Sequence, residues 1–369
     1  MIILQDKNSP DALIIFSIVT LIVVGLIMIL SASSVRSYNI FGDSFHFFKR
    51  QLISASIGLI FMIIAMNIDY HIYKKLSRPI LLLTLVLLIA VLIPGIGQVK
   101  GGSRRWLGFG FAGFQPSTAA KLGIVVYLAQ YFSRKKDRME SFFRGIIPPL
   151  IVFVIIFLLI LLEPDLGTAV TIGITFFILL FVAGAKISHL SFLGVSGFLA
   201  ILYFIFSSEY RSERFTAFLD PWKDPLDSGY HIIQSLLALG TGGFFGVGLG
   251  NSKQKFLYLP EPGTDFIFSV LGEELGFIGV TFVIILYLLF FWRGIRTAYR
   301  APDLFGTMLA VGLTSMIVIQ AFINIGVVTA SIPVTGITLP FISYGGSSIV
   351  IMLTGVGILL NISRNTIEK

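Results

Sequence analysis

The hydrophobic residues of this chain are gathered in long runs that contain few charges. Runs of roughly 17 to 25 apolar residues are long enough to cross about 30 Å of hydrocarbon as helices. The fourth run is short and is interrupted by Lys121. The pattern predicts an all-α integral membrane protein with about ten membrane-spanning helices, near residues 11–34, 48–66, 78–94, 118–132, 145–163, 165–184, 188–207, 266–292, 303–330 and 341–362.

The beginning of the chain does not have the pattern of a cleaved signal peptide. Such a peptide needs a basic start, a shorter apolar core and a cleavage site, whereas Asp6, Lys7 and Asp11 precede a long span. We therefore expect the first helix to remain in the protein. No boundary or convincing internal repeat divides the sequence, so residues 1–369 are interpreted as a single polytopic membrane domain.

Lysine and arginine residues in the short loops predict the orientation of the helices. Basic residues cluster at 74–78, 134–144 and 293–300 and at Arg364, all on one side of the predicted membrane. By the positive-inside rule this side faces the cytoplasm, together with both termini. The net charge of +8 is thus mainly an orientation signal, and it gives no support to nucleic-acid binding. The absence of cysteine fits a large surface on the oxidising side of the membrane.

Four segments are left for the outer side, at 35–47, 95–117, 208–264 and 331–340. The third, between helices 7 and 8, is far longer than ordinary connections and too rich in aromatic residues for a solvated tail. Within it, residues 229–239 predict a short amphipathic helix at the membrane interface. The last outer turn, over residues 333–348, is polar and Gly-rich. Non-helical backbone at membrane depth is tolerated only where it lines a protein cavity.

Two acidic residues lie where the long outer loop meets the eighth apolar run. The stretch 257–268 contains Glu261 and Asp265. The simplest interpretation is structural, because Thr264 or Asp265 could cap the following helix. In the same way, Asp165 is predicted to cap the sixth helix, after the tight turn that begins at Glu163.

Basic residues on the outer side depart from the orientation pattern, so each needs a reason. Arg104 and Arg105 lie in an outer loop, Lys121 lies just inside the fourth helix, and Lys49 and Arg50 stand at the mouth of the second. Long cations near helix ends often reach back to the interface, and this alternative remains open for Lys49. An anionic ligand at the outer leaflet would explain all of them together, since arginine forks and helix N-termini bind phosphate oxygens.

These outer segments, in this order, resemble the SEDS family (shape, elongation, division and sporulation) of membrane peptidoglycan polymerases. Within that family, three stretches look more like the division branch, FtsW, than the elongation branch, RodA, and the sporulation member SpoVE is a close rival of FtsW. They are Phe218-Leu-Asp-Pro-Trp222, Gly248-Leu-Gly-Asn-Ser252 and Asn324-Ile-Gly-Val-Val328. The matching stretches cover nearly the whole chain: Gly102-Ser-Arg-Arg-Trp106, Phe114-Gln-Pro-Ser117 with Lys121, Glu163-Pro-Asp-Leu-Gly-Thr168, Gly229-Tyr-His-Ile-Ile-Gln-Ser235, Leu259-Pro-Glu-Pro-Gly-Thr-Asp-Phe-Ile-Phe268 and Leu339-Pro-Phe-Ile-Ser-Tyr-Gly-Gly-Ser-Ser348.

The resemblance implies a glycosyltransferase that polymerises lipid II at the outer face of the bacterial cytoplasmic membrane, for septal or shape-determining wall synthesis. It implies a catalytic role for Asp265, with substrate-binding roles for Arg50, Arg104, Arg105, Lys121, Glu261, Ser343 and Ser347. It also implies a class B penicillin-binding transpeptidase as partner, besides other membrane proteins of cell division or elongation. A divalent cation, Mg²⁺ or Mn²⁺, would help to neutralise the diphosphate of lipid II.

Two positions depart from the family pattern, and two other functions stay open. Thr118 stands where the family usually has a glutamate that would pair with Lys121, and Gly263 replaces the usual histidine before Thr264 and Asp265. A transporter that flips lipid II is the main alternative, although transporters tend to place polar groups near the midplane rather than at one face. A non-catalytic scaffold of the cell-wall machinery is the other alternative.

Overall fold

The structure is a computed structural model that describes residues 9–100, 103–109, 112–207, 209–256 and 258–366. The charged residues Asp6 and Lys7 of the chain start lie outside the described residues. So do Gly102, from one of the motifs, and Leu257, at the start of the acidic stretch.

The described residues form twelve α-helices and three short β-strands. In chain order they are α1 (Ala12–Phe41), α2 (His46–Asn67), α3 (His71–Leu92), β1 (Gly97–Lys100), β2 (Ser103–Phe109), β3 (Ala112–Phe114), α4 (Pro116–Arg134), α5 (Ile147–Leu162), α6 (Leu166–Val182), α7 (Ile187–Phe206), α8 (Glu209–Leu219), α9 (Tyr230–Gly242), α10 (Ile267–Tyr299), α11 (Leu304–Val328) and α12 (Gly346–Arg364).

Each of the ten predicted spans coincides with one of these helices. Eight helical segments are long and apolar enough to cross a membrane, while α6 is apolar but shorter. The remaining predicted span, the fourth, is α4, which carries Lys121. The prediction of a helical, multi-pass membrane protein is therefore confirmed. Within the long outer loop, α9 confirms the short helix predicted over residues 229–239.

A small β-sheet is the one departure from the all-α prediction. The three strands pair in the order β1-β2-β3, each antiparallel to its neighbour. They occupy the outer segment 95–117, where only a loop was expected. The strands contain four, seven and three residues. Such short strands among glycines show too few alternating positions for the period-two pattern to be recognised.

Most of α11 is buried at the centre of the bundle, whereas α7 has no buried residue. Two glycines let α2 and α12 pack closely. A Cβ atom on Gly357 would lie 2.3 Å from the Met62 carbonyl oxygen, and one on Gly58 would lie 2.7 Å from the Leu353 side chain. Small residues at such contacts are typical of membrane helices, because dispersion contacts then replace the hydrophobic effect that drives packing in water.

The two ends of the bundle differ in composition. At one end, which we call the inner end, the N-terminus of α1 meets the C-termini of α10 and α12. There the Asp11 amide donates to Ser363 Oγ (3.1 Å), and Arg293 pairs with Asp11. Asp265 lies just before the N-terminus of α10, at the opposite end of the bundle. That opposite end, which we call the outer end, gathers the segments that the sequence predicts to be extracytoplasmic.

Candidate functional site

A cavity of about 2120 Å³ opens at the outer end. It is lined by parts of all four predicted outer segments or the helix ends beside them. Its charged and polar lining includes Arg50, Arg105, Gln115, Arg214, His231, Glu261, Asp265, Thr335, Ser347 and Ser348, and the rest is largely aliphatic and aromatic. A cavity with an apolar wall and a few convergent charges is the usual form of a ligand site.

Asp265 faces this cavity without capping the helix that follows. The residue at the N-cap position of α10 is Phe266, and no side chain caps the helix there. The structural interpretation, in which Thr264 or Asp265 caps α10, is therefore wrong. Among the described residues, the Asp265 carboxylate has no hydrogen-bond or ion-pair partner, although its main chain is firmly held. A partly buried carboxylate without such a partner is free to accept a proton from a ligand.

The main chain around Asp265 is fixed by α11 and by the segment before α12. Asn324 Nδ2 of α11 donates to the carbonyls of Asp265 (2.8 Å) and Ile337 (2.7 Å). Ser343 Oγ donates to the Thr264 carbonyl (2.6 Å), and the Tyr344 amide donates to the Gly263 carbonyl (2.9 Å). These bonds hold the main chain of the turn, and their partners come from distant parts of the sequence. The position of Asp265 therefore depends on residues far away in the chain.

Glu261 shapes the same turn from its other side. Its φ of 50° lies in the left-handed region, which costs free energy for a non-glycine residue and needs support from the surroundings. Arg36 of α1 supplies part of that support through an ion pair of 2.7 Å, and Thr264 Oγ1 donates to the other carboxylate oxygen (3.1 Å). Burial is the largest single influence and opposes ionisation of Glu261. The hydrogen bond and the charge of Arg36, with the hydrogen bond from Thr264, together outweigh it, so the pKa is lowered. The role of Arg36 is not visible in the sequence, because nothing near it in the chain indicates its partner.

The environment raises the pKa of Asp265 to about 6. Burial is the largest cause, since a low-dielectric surrounding disfavours the charged form, and the negative charge of Glu261 adds to it. Arg105 and Arg214 act in the opposite direction, while Asp165 raises the pKa further. A carboxyl with a pKa close to neutrality is suited to take up and release protons.

The neighbouring arginines of β2 have different surroundings. Arg105 lines the cavity, and its guanidinium also donates to the carbonyls of Glu163 (2.9 Å) and Pro164. Arg104 donates instead to the Leu92 carbonyl (3.2 Å) at the end of α3. The pairing of β1 with β2 shifts register here, which leaves Arg105 without a paired residue on β1. Such irregularities redirect side chains, often beside functional sites.

The other predicted site residues divide between the cavity and the surrounding packing. Arg50 and Ser347 line the cavity, whereas Lys49 is exposed and pairs with Asp43. Lys121 is buried away from the cavity lining, with Nζ donating to Gln320 Oε1 (2.6 Å). Ser343 is also buried and supports Thr264, as described above.

Asp165 is confirmed as the cap of α6, since it accepts from the Thr168 amide (3.1 Å). The two departures from the family pattern also have a place in the structure. Thr118 is buried, with Oγ1 donating to Gln115 Oε1 (3.4 Å). A Cβ atom on Gly263 would lie 2.4 Å from Ser33 Oγ, so a larger residue there would require the Ser33 side chain of α1 to move.

Two cavity residues, Arg214 and His231, were not singled out in the sequence. Arg214 belongs to α8 and His231 to α9, so the long outer loop supplies both. Burial and the charge of Arg214 lower the pKa of His231, although Glu261 opposes this. In the sequence, the position of His231 within the motif at 229–235 is the one signal that could have indicated its place in the cavity.

The described residues contain no group of three or more His, Asp or Glu side chains placed to hold a metal ion. They therefore do not form a protein cage for a divalent cation. Mg²⁺ often keeps several waters and binds through one or two carboxylates together with substrate phosphates, so a cage is not a requirement.

Comparison with known proteins agrees with this architecture. The sequence profile of the FtsW/RodA/SpoVE cell cycle proteins matches residues 11–368. Stage V sporulation protein E of Bacillus subtilis is 52% identical over 358 residues, covering 97% of this chain and 98% of the relative. A probable peptidoglycan glycosyltransferase FtsW of Geobacter sp. is 45% identical over 360 residues, covering 98% of both chains.

Two solved structures share the fold. A chain from a peptidoglycan synthase complex has a TM-score of 0.80 at 27% identity, covering 96% of this chain and 98% of that one. The rod shape determining protein RodA of Thermus thermophilus has a TM-score of 0.72 at 27% identity, covering 98% of each. Sequence and fold thus agree over almost the full length, and this chain belongs to the FtsW/RodA/SpoVE family.

Proposed function

We propose that this protein is a peptidoglycan glycosyltransferase that polymerises lipid II at the outer face of the cytoplasmic membrane. The observation that carries the proposal is the Asp265 carboxylate, which has no partner among the described residues and opens into a large, mostly apolar cavity beside Arg50 and Arg105. The names of the FtsW relatives support the reaction class. The outer location rests on the clustering of basic residues at the inner end.

The geometry suggests how the reaction is divided among the residues. Asp265 takes the proton of the acceptor 4-hydroxyl as that oxygen bonds to the anomeric carbon of the donor sugar. The bond from that carbon to the diphosphate breaks, and the lipid diphosphate leaves with the electron pair. Arg50 and Arg105 stabilise its charge. The apolar cavity wall accommodates the lipid-linked substrate at the membrane boundary.

Two additions from the sequence remain parts of the proposal. A class B penicillin-binding transpeptidase is the proposed partner, supported by the fold shared with a chain of a peptidoglycan synthase complex. A divalent cation, Mg²⁺ or Mn²⁺, would neutralise the diphosphate, held mainly by substrate oxygens and water. Chelation during the polymerisation assay tests the requirement for the ion.

The decisive experiment is polymerisation of purified lipid II by the purified chain, with and without its cognate transpeptidase. Asp265→Asn cannot accept the proton, so the rate should fall by at least about a hundredfold while lipid II binding persists. The variant should fold, because Asp265 caps no helix. A rate near that of the parent would refute the assignment of Asp265. Translocation of lipid II without any polymer would favour a transporter. The absence of both polymerisation and translocation would favour a scaffold.

Arg104 and Arg105 provide a matched pair for the diphosphate site. Arg105→Ala should weaken lipid II binding and the rate by about tenfold or more, because charge-assisted phosphate contacts are strong. Arg104→Ala removes the same charge from a side chain that binds the Leu92 carbonyl. It should affect stability more than lipid II binding. Equal losses of binding in both variants would argue against a specific role for Arg105.

The pH dependence offers an independent test of Asp265. Since the base must be ionised, the rate should fall as the pH drops through about 6. Glu261→Gln removes a charge that raises this pKa, so the acid limb should move to lower pH. Arg36→Gln leaves Glu261 without its neutralising partner and should move the limb to higher pH. An unchanged limb in both variants would show that another group controls the profile.

A further inference from the structure

A second cavity lies at the inner end, opposite the site of Asp265. It has a volume of about 310 Å³ and is enclosed by the start of α1, the end of α10 and the end of α12. Its lining includes Arg293, Arg296 and Arg300, together with hydroxyl-bearing residues such as Thr297 and Thr366. The three arginines are spaced by three and four residues, so they lie along one face of α10.

Of the described residues in this lining, Asp11 is the acidic one, and it is already engaged. One carboxylate oxygen of Asp11 accepts from the Leu13 and Ile14 amides and caps α1, and the other accepts two hydrogen bonds from Arg293. Within the described part of the chain, the side chains of Arg296 and Arg300 have no ion-pair or hydrogen-bond partner. Among the residues that the structure describes, these two guanidinium groups therefore share a polar space without a counter-charge of their own.

Orientation alone does not account for this arrangement. Basic residues at an inner end follow the positive-inside rule and suit the C-terminus of a helix. Arg134 at the end of α4 and Arg138 in the turn that follows show what that role requires, since both are exposed to solvent. Arg296 and Arg300, by contrast, are half-buried and converge on a cavity.

The neighbouring surface places the cavity at the membrane boundary. Trp292 is 56% exposed and Tyr299 is 75% exposed, on the same stretch of α10 as the arginines. Exposed tryptophan and tyrosine near the end of a spanning helix are typical of the interface, where lipid headgroups lie. Arginine forks match the geometry of phosphate oxygens.

We propose that this inner-end cavity binds a phosphate group, with Arg296 and Arg300 as its charged donors. The phosphate could belong to the headgroup of an anionic phospholipid in the inner leaflet or to a soluble phosphate, and the two sources are separated by experiment. Binding there would tie together the ends of α1, α10 and α12, far from the glycosyl-transfer site. The proposal does not depend on the assigned reaction.

The test compares two double variants that remove the same charge. The parent chain, Arg296→Gln/Arg300→Gln and Arg134→Gln/Arg138→Gln are each purified and incubated with phosphatidylglycerol or phosphatidylcholine. Retained lipid is then counted by native mass spectrometry. A second arm titrates inorganic phosphate into each chain in detergent and follows binding by phosphorus NMR. Thermal unfolding confirms that the variants are folded, and Arg296→Lys/Arg300→Lys keeps the charge without the fork in case the Gln pair is unstable.

The parent should retain phosphatidylglycerol in preference to phosphatidylcholine. The Arg296 and Arg300 Gln variant should lose at least about tenfold in affinity, while the Arg134 and Arg138 variant matches the parent. The Lys pair should bind with intermediate affinity. Binding of inorganic phosphate without retention of the lipid would assign the site to a soluble phosphate. Equal retention in the parent and the Arg296 and Arg300 variants, or equal losses in both Gln variants, would overturn the proposal.

Discussion

Two lysines are buried among the residues that the structure describes, and their charges are compensated in different ways. Lys255, in the long outer loop, is 5% exposed, and its Nζ contacts Glu274 (2.9 Å), Ser31 Oγ (3.0 Å) and the Gly250 carbonyl (2.6 Å). Lys121, in α4, is 4% exposed, and its Nζ has one partner among the described residues, the amide oxygen of Gln320. The first lysine is paired with a full charge and the second only with a dipole.

The contacts of Lys255 join three parts of the chain. Ser31 belongs to α1, Gly250 to the outer loop and Glu274 to the first part of α10, just before the helix breaks at Gly276. The adjacent Glu273 accepts from Ser252 Oγ (2.5 Å) and from the Lys253 amide (2.9 Å). This network, which we call the Lys255 cluster, anchors the loop that leads to Asp265. A buried charge that is fully paired and hydrogen-bonded is tolerated inside a protein.

The largest effect is expected from Lys255→Met, which leaves Glu274 buried without its counter-charge. Losing one partner of a buried ion pair typically costs about 3–5 kcal/mol of folding free energy. Unfolding of the purified chain in detergent measures this loss. Polymerisation should fall with it, because the loop no longer holds the turn of Asp265.

The double variant Lys255→Met/Glu274→Met is the matched control. Replacing both charges by apolar side chains is often close to neutral, so most of the stability should return. If the double variant is as unstable as Lys255→Met alone, the ion pair is not the source of the effect. The cluster would then act through its hydroxyl and main-chain contacts.

The two lysines also show what a single sequence can reveal. Lys121 stands out because it is a cation inside an apolar helix, and the ten predicted spans follow from apolar runs of sufficient length. Lys255 lies in a polar loop, where a lysine is ordinary, and its partner Ser31 is 224 residues away. A separation of 225 residues likewise hides the pairing of Arg36 with Glu261. Local patterns predict elements and caps such as Asp165, but not which distant side chains meet.

The site was predictable to the extent that its residues lie in recognisable motifs. Asp265, Glu261, Arg50, Arg105 and Ser347 do line one cavity. Their neighbours Arg104, Lys121 and Ser343 lie in the same motifs, yet they contact other parts of the protein. A register shift in a short strand and a hydrogen bond to another helix separate them from the cavity, and neither leaves a trace in the spacing of residues.

A smaller effect is expected from Lys121→Met. The substitution deprives Gln320 Oε1 of its donor, which costs about 1–3 kcal/mol, but it also removes a buried charge that lacks a carboxylate partner. These terms oppose each other, so the loss of stability should stay below that of Lys255→Met. Because Lys121 does not line the cavity, lipid II binding should change less than in Arg105→Ala. A loss of binding of tenfold or more would instead show that Lys121 reaches the substrate.

The smallest effect is expected from Gln320→Glu, which gives Lys121 the carboxylate that Lys255 already has. The hydrogen bond from Lys121 becomes charge-assisted and therefore stronger. In the parent protein, however, Gln320 Nε2 donates to the Thr338 carbonyl (2.8 Å). A carboxylate at position 320 would lose that bond and repel the carbonyl oxygen. Each change is worth about 1–3 kcal/mol with opposite sign, so the net change in stability should be within about 1 kcal/mol.

Glu274→Gln is the converse substitution and sharpens the result. It removes the carboxylate that pairs with Lys255 while keeping the size of the side chain at position 274. Because the buried ammonium loses its counter-charge, the free energy of unfolding should change more than in Gln320→Glu, and in the destabilising direction. Both variants are compared by unfolding in the same detergent. A stabilisation of several kcal/mol in Gln320→Glu would mean that the two lysine sites have the same need for a carboxylate. Gln320 would then be a poor replacement for the glutamate that the family usually has at the position of Thr118. The alternative, that Gln320 is suited to bind both Lys121 and the Thr338 carbonyl, would be wrong.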